Sequence, residues 1–203
     1  EWVPGNKYLT YKADRILAYY NKLITLEPSR YDLYMAHVAS VFLESYLFYS
    51  GFFYPLYLAG LGKMTTSGEI IRKIMLDETI HGSCVGYSAQ EIYNELTEHE
   101  QKRADKEVYE LLWDLFENEV AYTKEIYSQI GMEDEVIEYV KYNGNRALAN
   151  LGRPQEFSHD PINPIIENAL NTSSKNHDFF SVKGDSYVVS TNVEEMTDED
   201  WDF

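Results

Sequence analysis

A chain of 203 residues with 44% apolar and 25% charged side chains has the size and balance of one globular domain with a real core. Its net charge of −17 argues against capture by phosphate backbones or anionic lipid, so neither nucleic acid nor a membrane surface is expected as a partner. A single cysteine, Cys84, excludes an intrachain disulfide and fits a reducing cytoplasm. No signal peptide is visible, and the first residue is Glu1 rather than Met, so the N-terminus is not expected to be a translation start. The eighteen tyrosines are read mainly as packing residues.

The first predicted helix covers residues 6–27, on the spacing of Tyr8, Tyr11, Ile16, Leu17, Tyr20 and Leu23. Residues 33–62 form the most apolar stretch, punctuated by Gly51 and Pro55 and ended by a turn at Gly60-Leu61-Gly62. Its one formally charged residue is Glu44. Thr66 or Ser67 can cap the next helix, which carries Ile70, Ile71, Ile74, Met75 and Ile80 and runs to about residue 96. A third long helix spans roughly 98–130 and stops at Gly131; another spans about 133–151 and stops at Gly152-Arg153-Pro154. Long amphipathic helices, short connections and no strand alternation predict an all-α bundle.

The character changes after Pro154. Pro154, Pro161 and Pro164 break any long helix there. Residues 185–203 hold seven acidic residues and no Lys or Arg, a composition that cannot bury a core. The expected division is a bundle portion over 1–153, a Pro-containing segment over 154–184, and a disordered acidic tail over 185–203 anchored by Trp201 and Phe203.

Glu44 needs an explanation, because an unpaired buried carboxylate either takes up a proton or finds a cation. The next helix carries Glu78-Thr79-Ile80-His81, and an i, i+3 spacing projects Glu78 and His81 from one face. A carboxylate and an imidazole so placed can share a metal ion. In ferritin-like dinuclear carboxylate sites two helix pairs, each supplying a Glu and then a Glu-x-x-His, face each other across the bundle, and this sequence shows one such pair. Glu156-Phe157-Ser158-His159 repeats the pattern between two prolines, where helical geometry fails, and reads as a surface loop. His37, His99 and His177 lack a Glu three residues earlier. Cys84, one turn after His81, reads as a packing residue.

Leu43-Glu44-Ser45-Tyr46-Leu47-Phe48-Tyr49-Ser50-Gly51-Phe52, Leu76-Asp77-Glu78-Thr79-Ile80-His81-Gly82, Gly86-Tyr87, the segment Pro164–Leu170 and the end Asp200-Trp201-Asp202-Phe203 resemble the small, radical-generating subunit of class Ib ribonucleotide reductases. The resemblance covers nearly the whole chain. It implies a ferritin-like helical fold, a homodimer, and a dinuclear manganese or iron centre that oxidises a nearby tyrosine. It also implies a large subunit that receives the radical and reduces ribonucleoside diphosphates, and a flavodoxin-like activator. By the same resemblance Glu44, Glu78 and His81 are metal ligands, Asp77 hydrogen-bonds a histidine ligand along the radical route, Tyr187 relays the radical, and Trp201 and Phe203 dock on the large subunit. The family's other three ligands and its radical tyrosine precede the segment where this chain begins, so a missing N-terminal portion of the same subunit is an expected partner. Ser83-Cys84 stand where the family usually has aromatic residues.

Two further readings compete. One is an inactive truncated subunit that serves only as an interaction module for the large subunit. The other is a membrane span over 33–62, long enough to cross a bilayer but burdened by Glu44.

Overall fold

The computed structural model describes residues 5–24 and 27–171, with 168–171 as backbone only. In the described residues, α1 is Lys7–Asn21 and α2 is Arg30–Phe42, followed by a π-helical turn, Leu43–Leu47. Then come α3 (Tyr49–Gly60), α4 (Thr65–Asn94), α5 (Glu98–Tyr127), a 3-10 turn (Ser128–Ile130), α6 (Glu133–Asn150) and α7 (Pro164–Asn171). The chain divides into one unit of Glu1–Leu170 and a second of Asn171–Phe203. No strand occurs among the described residues, in line with the predicted all-α class.

Local chemistry explains most of the boundaries. The Asn6 side chain accepts from the backbone N–H groups of Tyr8 and Leu9 and starts α1. That helix stops at Asn21 rather than near residue 27, with Lys22 as its C-cap. Ser29 caps α2, and Thr97 and Glu100 cap α5 reciprocally. Gly131 and Gly152 take φ of 66° and 67°, the left-handed conformation that closes the helices before them.

Three expectations are corrected. Gly51 and Pro55 do not interrupt the apolar stretch, since α3 runs through both. Pro55 forgoes one helical hydrogen bond, and packing against α4 and α6 holds the helix through it. Thr66 and Ser67 do not cap α4. That helix starts at Thr65 behind Met64 at φ 50°, with no side-chain cap. The third is an element not foreseen, α7, with Pro164 at its first position and the Asn163 side chain accepting from the Ile165 N–H at 2.8 Å.

The core is aromatic. Tyr34, Phe42, Tyr46, Tyr49, Phe53 and Tyr139 are fully buried among Met35, Leu56, Leu111, Leu112 and Leu148. Helix α4 lies along α2, the π turn and α3, while α6 packs on α5, on the π turn and on α4. The π turn therefore touches both α4 and α6. Among the described residues, no helix is long and apolar enough to cross a membrane.

Candidate metal centre

Glu44, Glu78 and His81 come together. One ligand atom from each lies within 4.8 Å of the other two. His81 Nδ1 is 3.2 Å from Glu78 Oε2 and 3.7 Å from Glu44 Oε2. The carboxylates are half-buried, with side chains 24% and 17% exposed, while the imidazole is 59% exposed. The cluster thus opens to solvent on the His81 side.

Two helices present these groups, for different reasons. Glu78 and His81 share a face of α4 because of their i, i+3 spacing. Glu44 lies in the π turn, a single widened turn of a kind frequent at functional sites. There the consecutive residues Glu44 and Ser45 both meet α4: Glu44 faces His81, and Ser45 fills the space beside Gly82. A Cβ at Gly82 would collide with the Ser45 hydroxyl, and one at Gly86 with the Asn150 carbonyl. The two glycines let α4 approach closely enough for the three donors to converge. Nothing in the local sequence pattern marks the π turn, Ser45 or Asn150 as part of this arrangement.

The electrostatics fit a cation. Burial, then the hydrogen bond and negative charge of Glu78, push the Glu44 carboxyl up to about 7, against the opposing pull of His81. His81 is raised above its ordinary value by its hydrogen bond to Glu78 and by the charges of Glu78, Glu44 and Asp77. Two acids and one imidazole are held together here. A divalent ion would take the place of the Glu44 proton and satisfy both carboxylates at once. Carboxylate oxygens with an imidazole nitrogen suit manganese and iron. Three donors are too few for two ions; the cluster has the composition of one ion's partial ligand set.

The other predicted residues lie elsewhere. Asp77 is exposed on α4 and adds a minor coulombic pull on His81. Glu156 and His159 lie in a non-helical stretch and turn to different partners. Glu156 accepts from Trp113 Nε1 at 2.9 Å; His159 Nδ1 meets the Asp160 carbonyl at 2.9 Å, and its ring packs edge-on against Tyr142. Cys84 is exposed rather than packed in the core, because α4 turns that face outward along with His81. Tyr187, Trp201, Phe203 and His177 lie outside the described residues.

The profile of the family described as ribonucleotide reductase, small chain, matches residues 1–164. The chain belongs to that family. Among ribonucleotide reductase small chains, the ribonucleoside-diphosphate reductase subunit beta of Bacillus subtilis (strain 168) is 48% identical over all 203 residues. The subunit beta of Bacillus phage SPbeta is 47% identical over the same length. The match takes in 100% of this chain and 61% of each of these relatives, so the chain spans less than two thirds of their length. The crystal structure of the Streptococcus sanguinis dimanganese(II)-NrdF is similar at a TM-score of 0.75 and 41% identity, covering 83% of this chain and 58% of that one. The expected ferritin-like helical fold and the resemblance to the NrdF, class Ib, small chains are both borne out.

Proposed function

We propose that this chain is the part of a class Ib ribonucleoside-diphosphate reductase small subunit that supplies half of a dinuclear manganese or iron centre. The observation that carries this reading is the convergence of Glu44, Glu78 and His81 within 4.8 Å in a chain of this family. When bound, the metal pair supplies the one-electron oxidising power that makes a tyrosyl radical, which starts ribonucleotide reduction in the large subunit. The residues of this chain prepare the site. Glu44, Glu78 and His81 Nδ1 would hold the ion, which would displace the proton that burial and Glu78 keep on the Glu44 carboxyl. The remaining ligands and the radical tyrosine come from a further N-terminal portion of the small chain, approaching on the open His81 side. Exposed Ile70, Ile74 and Ile80 on α4, and Phe48 after the π turn, leave apolar surface for such a portion to cover.

The same reading assigns a homodimer, a flavodoxin-like activator for the manganese form, and a cytoplasmic setting. Asp77 hydrogen-bonds a histidine ligand and lies on the radical route. Tyr187 relays the radical equivalent across the subunit interface, and Trp201 and Phe203 anchor the acidic tail on the large subunit. By itself the chain retains well under two ions after desalting.

The test is reconstitution with the remaining small-chain portion, the activator and the large subunit, followed by low-temperature EPR and assay of ribonucleotide reduction. Glu44→Ala, Glu78→Ala and His81→Ala are each expected to abolish both metal loading and radical. Tyr187→Phe leaves metal and radical in place and stops turnover. Deleting 198–203 weakens large-subunit binding without loss of the radical. Full radical yield from Glu78→Ala would overturn the assignment.

A further inference from the structure

We propose that Asn150, acting through Ser45, is a positioning residue that holds the Glu44 turn and the His81 helix in register for metal binding. This rests on the ligand reading given above. The Asn150 side-chain amide donates to Ser45 Oγ at 3.0 Å across 105 residues of sequence. Ser45 is buried and directly follows Glu44. Its hydroxyl occupies the space where Gly82 lacks a side chain, and Gly82 directly follows His81. One contact thus sits a single residue away from a ligand on each of two helices.

Asn150 is itself gripped by α4. Its carbonyl, one of those left without a partner in its own helix at the end of α6, accepts from Gln90 Nε2 at 2.9 Å. Gly86 has no Cβ to obstruct that carbonyl. Gly82, Gly86 and Gln90, on successive turns of α4, therefore rest on Ser45 and Asn150. The side chain of Asn150 is not needed to finish α6. Leu151 caps the helix, Gly152 turns at φ 67°, and the Arg153 N–H closes onto the Leu148 carbonyl at 2.9 Å. Its amide is directed at the π turn instead.

The consequence is specific to the metal. Glu44 comes from one helix and Glu78 and His81 from another, so their donor atoms share an ion only while the two helices keep their relative position. Groups hydrogen-bonded directly to a metal ligand change metal affinity by about 10–100-fold when removed, and the Ser45–Asn150 contact acts one residue further out, through the register of the two helices. A side chain that served only helix packing would change the unfolding transition and leave the folded protein's affinity alone.

The experiment titrates Mn(II) into the chain and follows free aqueous Mn(II) by its six-line EPR signal, with circular dichroism recorded on the same samples. Asn150→Ala and Ser45→Ala are each expected to weaken Mn(II) binding about tenfold, and the double variant no more than either alone, because both remove the same contact. Ser45→Ala keeps the core volume nearly intact and answers the question if Asn150→Ala unfolds. Wild-type affinity in the folded single variants, or losses that multiply in the double variant, overturns the proposal. Glu78→Gln separates this from the ligand reading. If it removes Mn(II) binding while the Asn150 and Ser45 variants bind normally, only the positioning role fails. If it binds like wild type, the ligand assignment fails, and the positioning role with it.

Discussion

Two carboxylate clusters lie inside this bundle, and they are built in opposite ways. Glu119, in the middle of α5, is fully buried and surrounded by donors: Lys12 Nζ at 2.7 Å and Ser50 Oγ at 2.6 Å. Lys12 also donates to the Leu47 carbonyl at 3.0 Å. Glu44 is less buried, yet its neighbours are a second acid, Glu78, and an exposed imidazole. The protein completes the shell of Glu119 from its own groups. At Glu44 it leaves two acids together and a side open to solvent. A buried acid alone therefore does not point to a metal; the proposed site rests on an acid placed beside another acid and a histidine.

The largest expected effect is on the complete cluster. Lys12→Ala leaves the Glu119 charge buried without its partner, and breaking such a pair costs about 3 kcal/mol. Urea unfolding should show this as a loss of stability. A variant as stable as wild type would show that the pair contributes nothing to the core.

A second comparison uses pH. The raised Glu44 pKa means that the folded chain holds this proton more tightly than the unfolded chain does. The stabilisation from protonation is fully present below the unfolded value of 4.5 and is lost as pH rises through about 7. Glu44→Gln keeps the neutral form at every pH, so it should raise the thermal midpoint of the metal-free chain at pH 8 and leave it nearly unchanged at pH 4. Glu119→Gln should instead lower the midpoint at pH 8, since it strands Lys12. Equal responses from the two variants would erase the distinction between the clusters.

The smallest expected effect concerns the second Glu-x-x-His. Glu156→Ala and His159→Ala should leave Mn(II) binding within about twofold of wild type, since a weak surface contact is all that each loses. A loss as large as that of His81→Ala would place 156–159 in the site.

Much of this was legible from the residues. The helices followed from apolar spacing and from stops such as Gly131 and Gly152, whose positive φ the structure bears out. The ligand candidates stood out because Glu44 is alone in an apolar run, and because an i, i+3 spacing has a meaning on a helix that it lacks between Pro154 and Pro161. Other features depend on tertiary contacts that periodicity does not encode. The buried positions Phe42, Tyr46 and Tyr49 keep helical spacing across the π turn, so the widened turn leaves no trace in the pattern. Pro55 and Gly51 look like breaks, and packing overrides them. The contact between Ser45 and Asn150 joins residues 105 apart, and only the fold brings them together.

The most direct test of the central claim is anomalous diffraction at the manganese edge from crystals of this chain soaked in Mn(II). The account predicts a peak within coordination distance of Glu44, Glu78 and His81 Nδ1, lost in crystals of Glu78→Gln. A peak elsewhere with none at these three residues, or a peak here that persists without the Glu78 carboxylate, would contradict it.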